Sequence, residues 1–374
     1  MTRKTLNLCI FCGARPNFMK VAPIIRVINK QANENIAYSL IYAGTKNDPT
    51  LEDKLFEDLE IAPPTIYLGA DSQNLNELTG QVMSKFELYL QSHPTDVVIV
   101  VDDLASTMAA AIVTKKQALT LVHIAAGTRS FDITMPKEIN RLVIDGLSDI
   151  LFTAGVSNNS IANKEGAELS KVYMVGNILI DNIRNNRDLM GNLSLSKIKE
   201  VADLNIEEGK FILFTLNRKK LLNETIELEK LLRALVEGGK HTPIVAPLRD
   251  TAASIVKEVA KRGNIDLSNF HIVSPFGFLD FGYISAHAMG VVTDSGNVAE
   301  EATFNSVPCI TLNSYTEHIE TVTVGSNVLV GEDPDTLRKM VGDMVSNQWK
   351  KSGIPDRWDG RSAERIIQIL LDMK

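Results

Sequence analysis

Residues 97–123, VVIVVDDLASTMAAAIVTKKQALTLVH, decide how this chain folds. The run 97–101 is five apolar β-branched residues, the composition of a buried strand. Two carboxylates, Asp102 and Asp103, end it. Small and apolar residues at helical spacing follow over 106–116, and a second apolar run covers 119–123. Strand, crossover helix, strand is the signature of a parallel βαβ unit. Outward from this unit the scheme repeats. Apolar runs at 6–11, 38–42, 150–153 and 172–175 share the first half, with a helical pattern over 75–90. Runs at 211–215, 244–246, 271–273, 291–293, 309–312 and 328–330 make up the second. The fold class expected is α/β, with two Rossmann-like domains facing a cleft. The polar stretch 182–205, with Asn-Asn and Gly-Asn turns, reads as the connection between them. It sets the expected boundaries at 1–181 and 182–360.

Composition agrees with this size. A chain of 374 residues suits two cores, and 44% apolar with 23% charged residues is ordinary for a globular protein. A net charge of −7 argues against a nucleic-acid partner or an acidic membrane surface. No apolar run reaches the roughly 20 residues of a membrane helix. Met1–Lys4 leads straight into the first apolar run with no cleavage site, so the cytoplasm is the expected compartment. Three cysteines give no disulfide framework. Cys9 and Cys12 have the spacing of a redox or metal pair. No second pair completes a zinc site, so both, like Cys309, read as packing residues, with Cys12 opening the loop after the first strand. No metal and no cofactor are expected.

In open α/β sheets ligands bind beyond the carboxyl ends of the strands, so the loops there carry the candidate chemistry. The first is Gly13-Ala14-Arg15-Pro16-Asn17-Phe18-Met19-Lys20, which follows a strand and opens a helix. Helix-opening N–H groups flanked by Arg15 and Lys20 suit an anion, although a plain turn with a solvated lysine accounts for it equally well. The second is Asp102-Asp103, adjacent carboxylates at a strand's carboxyl end that suit a helix cap. The third, Thr293-Asp294-Ser295-Gly296-Asn297, precedes a helix. Backbone N–H groups of Ser295 and Gly296 suit a diphosphate, Glu300 suits ribose hydroxyls, and Asp294 or Ser295 also suits an N-cap.

Residues 122–141 read VHIAAGTRSFDITMPKEINR. They resemble the signature of the non-hydrolysing UDP-N-acetylglucosamine 2-epimerases, which typically reads HxEAGLRSFDRSMPEEINR. The three loops resemble that family's Gly-x-Arg-Pro-Glu-x-x-Lys, Gly-Asp-x-x-Ser-Thr and Thr-Asp-Ser-Gly-Gly-x-x-Glu-Glu. Val175-Gly176-Asn177 with Asp181, and Val324–Gly331, extend the resemblance along nearly the whole chain. The resemblance implies a glycosyltransferase-B type fold whose final helix, here within 361–374, returns to the first domain. It implies an isomerase acting on UDP-N-acetylglucosamine by loss of the C2 proton and of UDP, then re-addition on the other face. It implies Asp103 as catalytic, and Arg15, Lys20, Arg141, Arg218, Asp294, Ser295, Gly296 and Glu300 as substrate-binding. It implies UDP or a UDP-sugar as ligand and a homodimer as assembly.

The departures are as specific as the matches. Ala125 and Lys137 stand where the family has glutamates, Asn217 where it has a histidine, and Asp102 where it has a glycine. Arg15, Lys20, Lys46, Lys137, Arg141, Arg218 and Arg249 suggest a cationic cleft in an acidic protein. Three readings therefore stay open. One is a divergent epimerase. Another is a catalytically impaired protein that binds a nucleotide sugar or partners an active paralogue. The weaker third is a glycosyltransferase on the same fold.

Overall fold

The computed structural model describes residues 5–31, 35–166 and 169–373. The chain divides into two compact units, 1–184 with 356–374, and 185–355. The first is built on β1 (Leu6–Cys12), β2 (Ile36–Tyr42), β3 (Ile66–Tyr67), β4 (Val97–Val101), β5 (Thr120–Ile124), β6 (Ile150–Thr153) and β7 (Lys171–Met174). All pairs are parallel and the order is β3-β2-β1-β4-β5-β6-β7. The second holds β8 (Ile212–Phe214), β9 (Ile244–Pro247), β10 (Phe270–Val273), β11 (Gly290–Thr293), β12 (Cys309–Thr311) and β13 (Asn327–Leu329). These are also parallel, in the order β10-β9-β8-β11-β12-β13.

Both faces of the first sheet are covered, which is why its strands read as unbroken apolar runs. On β1, Leu8, Ile10 and Cys12 enter one core while Cys9 and Phe11 enter the other. Val97, Ile99 and Val101 of β4 share the first core, and Val98 and Val100 the second. Cys9 and Cys12 are thus buried on opposite faces, and Cys12 is the last residue of β1 rather than the start of a loop. Burial raises all three thiols, Cys309 to about 12, so none is a ready nucleophile or redox group.

The helix Ser362–Asp372 packs against Arg15–Lys30 in the first unit. Its N-terminus is held by Asp181, whose carboxylate accepts the N–H groups of Ser362 (3.1 Å) and Ala363 (2.8 Å). No helix among the described residues is long and apolar enough to cross a membrane.

Each strand order reverses direction once, between β1 and β4 in the first unit and between β8 and β11 in the second. Loops leaving neighbouring strands at such a point run to opposite faces of the sheet and leave a crevice. The candidate loops at 13–20 and 102–103 border the first crevice, and those at 215–218 and 293–297 the second.

Candidate functional site

In the first unit the crevice is narrow. A Cβ on Gly13 would stand 2.1 Å from Ser106 Oγ, so a larger residue in β1's turn would force Ser106, at the start of the helix Ala105–Lys116, to move. Asn17 closes the turn: its Oδ1 accepts the N–H groups of Gly13 (2.8 Å) and Ala14 (3.2 Å). Its Nδ2 donates to Asp102 Oδ2 at 2.9 Å, and Lys20 Nζ lies 2.5 Å from Asp102 Oδ1. Asp102 has φ +60° and Ala125 φ +66°, a left-handed conformation that costs non-glycine residues about 1 kcal/mol or more. The two are lateral neighbours, since Val101 of β4 pairs with Ile124 of β5. The expectation that Asp102 or Asp103 caps the following helix is not met. Leu104 occupies the cap position with no side-chain bond, and both carboxylates face cations instead.

Asp103 belongs to a second set of contacts. Its Oδ2 accepts from Arg141 Nε at 2.8 Å and lies 2.6 Å from Nη2. Asn140 Nδ2 holds its carbonyl at 2.8 Å, and Lys137 Nζ lies 4.0 Å from Oδ1. The helix Pro136–Leu147 thereby fixes Asp103 through three of its residues. Glu138, the glutamate retained next to Lys137, does a different job. It accepts the N–H groups of Ser130 (2.9 Å) and Phe131 (3.1 Å) and binds Arg141 at 3.1 Å. Burial pushes its carboxyl up, but these donors outweigh it and hold it below the usual range.

Beneath lies a buried pair that the motifs did not disclose. His123 Nδ1 is 2.6 Å from Asp145 Oδ1, and its Nε2 is 3.1 Å from the Asp102 carbonyl. The ring is thus engaged at both nitrogens, by a carboxylate on one side and a backbone carbonyl on the other. Arg129 Nη1 lies 2.7 Å from Asp145 Oδ2, and Glu165 takes Arg129 Nε at 2.8 Å. Burial raises the Asp145 carboxyl, but His123 and Arg129 hold it below its ordinary value. His123 is therefore a satisfied residue that carries the Asp102 backbone.

In the second unit Asp294 bridges the crevice. Its Oδ2 accepts the N–H groups of Asn217 (2.7 Å) and Arg218 (2.5 Å), joining the loops after β8 and β11. Arg218 donates through Nη1 to Asn313 Oδ1 (2.7 Å) and through Nη2 to Glu332 Oε1 (2.6 Å). Two buried atoms here have no partner, Asp294 Oδ1 and Arg218 Nε. Ser295 sits at the N-cap of the helix Gly296–Phe304 without a side-chain cap bond, so neither it nor Asp294 caps that helix through its side chain. Its N–H, expected to face an anion, is already donated to Thr293 Oγ1 at 3.0 Å. The opening N–H groups of the helix at Gly296 and just beyond are the donors left for that task. Beside them, a Cβ on Gly296 would stand 2.7 Å from His318 Nε2, so the imidazole covers the first turn.

Glu300, expected at the ribose, lies 2.7 Å from His318 Nδ1. The carboxyl of its neighbour Glu301, which the motif reading passed over, has no hydrogen bond among the described residues. Burial and the adjacent Glu300 push its carboxyl up to about 8. Asn217 is exposed and offers no imidazole. The expected cationic cleft is largely neutralised: Lys20, Lys137, Arg141 and Arg218 each meet a carboxylate of their own unit. Arg15, Lys46 and Arg249 are exposed.

Comparisons with known proteins fit this geometry. The family model described as UDP-N-acetylglucosamine 2-epimerase matches residues 29–371. A UDP-N-acetylglucosamine 2-epimerase homolog of Methanococcus maripaludis is 31% identical, over 98% of this chain and 100% of its own. The UDP-N-acetylglucosamine 2-epimerase of Methanocaldococcus jannaschii is 32% identical, over 98% and 99%. The crystal structure of the M. jannaschii enzyme with UDP-GlcNAc and UDP superimposes with a TM-score of 0.81, at 30% identity, covering 98% of this chain and 100% of that one. Both sheets with their switch points, the signature at 122–141 and a match along nearly the whole length carry one conclusion: the chain belongs to the UDP-N-acetylglucosamine 2-epimerase family.

Proposed function

We propose that this chain binds a UDP-N-acetylhexosamine and interconverts its gluco and manno forms slowly, with Asp103 as the carboxylate retained for chemistry at C2. The supporting observation is the placement of Asp103. It stands at the carboxyl end of β4, at the switch point, with its Oδ2 fixed by Arg141 and with Lys137 Nζ 4.0 Å from its Oδ1. Arg218, Gly296 and the opening N–H groups of the helix Gly296–Phe304 take the nucleotide diphosphate, with Asp294 and Ser295 shaping the turns that present them to the ligand. Glu300, or Glu301 beside it, meets the ribose. Arg15 and Lys20 are the cations of the β1 turn.

The reaction implied for the family balances without a redox partner. A base takes the C2 proton, the C1–O bond breaks with its electron pair leaving on UDP, and a C1=C2 double bond forms. UDP oxygen then returns to C1 while a proton is delivered to the other face of C2. Each missing acid–base group typically costs about 10²–10⁴ in rate, and losses within one constellation do not multiply. A low rate is therefore part of the proposal. The expected assembly is a homodimer, or a mixed oligomer with an active paralogue, acting in the cytoplasm.

One observation favours a second reading, binding without turnover: Ala125, Lys137 and Asn217 carry neither carboxylate nor imidazole. Proton NMR of the full chain with UDP-N-acetylglucosamine in deuterated water separates the two. Deuterium at C2 with appearance of the manno epimer is the expected result. Line broadening without exchange would replace it by the second reading. No change at all would remove both for this ligand.

A further inference from the structure

Apart from the exposed Arg15, the anion-binding features of the β1 turn are occupied from within the chain. Two N–H groups of the turn just before the helix Arg15–Lys30, at Gly13 and Ala14, are taken by Asn17 Oδ1. The cation of the first turns, Lys20, lies 2.5 Å from Asp102 Oδ1, with the side chains only 14% and 20% exposed. Asn17 and Asp102 are joined at 2.9 Å, so both blocking groups form one cluster. The carboxylate stands on a backbone at φ +60°, where glycine is unstrained and aspartate is not. Glycine is also what the family resemblance leads one to expect there. A side chain kept at a backbone cost, with both oxygens engaged, is doing something the fold itself does not require.

We propose that Asp102 is a specificity-determining residue: it holds Lys20 in place of a phosphate oxygen and so lowers the affinity of this crevice for nucleoside diphosphates. A phosphate reaching Lys20 has to displace a carboxylate already at contact distance, or bind beside it against like-charge repulsion. A ligand group that is neutral there meets no such penalty. Asp102 thus biases the site away from ligands that present a dianionic phosphate to the β1 turn. The inference rests on the nucleotide reading above.

The test is calorimetric titration of the full chain with UDP at low ionic strength, for the natural protein, Asp102→Gly and Asp102→Asn. Glycine fits the left-handed backbone, and asparagine tolerates it while removing only the charge, so both are expected to fold. Losing the competing carboxylate should tighten UDP binding about ten-fold or more in Asp102→Gly, with Asp102→Asn between the two. Uptake by the variants alone would be the extreme form of the same result. UDP binding by the natural protein that is unchanged or weakened in Asp102→Gly overturns this inference and leaves the nucleotide reading standing. No uptake by any of the three overturns the nucleotide reading, and this inference with it.

Discussion

The two switch points have the same topology and opposite polar states. In the first unit the carboxylates at and beneath the crevice are matched: Asp102 by Lys20 and Asn17, Asp103 by Arg141, and Asp145, on the helix Pro136–Leu147, by His123 and Arg129. In the second, Asp294 Oδ1 and Arg218 Nε are buried with no partner, and Glu301 is forced toward its neutral form. An unsatisfied buried polar group costs about 1–3 kcal/mol, a cost that a bound ligand can offset. The polar groups of the second crevice are thus less fully paired than those of the first. The first has the electrostatics of a site closed by its own side chains. A Rossmann-like unit can keep its topology while the charge pattern at its crevice is rewritten.

The contrast can be broken experimentally. The largest effect is expected at Asp103. Asp103→Asn keeps the shape and the Asn140 contact but removes the retained carboxylate. C2 deuterium exchange should fall about 10²-fold or more while UDP binding holds within about three-fold. Equal exchange in the variant would place the chemistry elsewhere. Next is the buried pair under the same crevice. Asp145→Ala leaves His123 and Arg129 without their shared carboxylate, so a loss of about 3–5 kcal/mol in urea unfolding is expected. A loss under about 1 kcal/mol would show that the first unit's charges are not held as tightly as described.

The smallest effect concerns the second unit. Glu301 titrates near 8 in the folded chain, well above its ordinary value of 4.5. The folded state thus holds the proton longer than the unfolded state does. This group's contribution to stability is most favourable below about pH 4.5 and is lost as the pH rises through about 8. Glu301→Gln removes the titration. The variant should match the natural protein near pH 4 and exceed it at pH 9 by about 1 kcal/mol or more in thermal or urea unfolding. An identical pH profile would show that the carboxyl ionises freely.

Much of the fold was legible because buried parallel strands need continuous apolar runs, such as the β-branched run 97–101. The two-residue edge strand β3 escaped, since Ile66–Tyr67 is too short to show a pattern. In the candidate site, Asp103, Lys137 and Arg141 were recognisable from their places in motifs. Their mutual pairing was not, and neither was the Lys20–Asp102 contact, which spans 82 positions. That contact depends on β1 lying beside β4 and on a left-handed residue at 102, neither of which the spacing of charges encodes. Glu300 and Glu301 are adjacent in sequence. Only the phase of the helix Gly296–Phe304 decides which of them His318 meets.

The contrast between the two switch points is tested most directly by titrating UDP into two variants of the full chain, Arg218→Ala in the second unit and Lys20→Ala in the first. Arg218 frames the open crevice, so its loss should weaken UDP binding about ten-fold or more. Lys20 is already held by Asp102, so its loss should change binding by less than about three-fold. The reverse order would contradict the account, because it would make the crevice described as closed the one that holds the nucleotide.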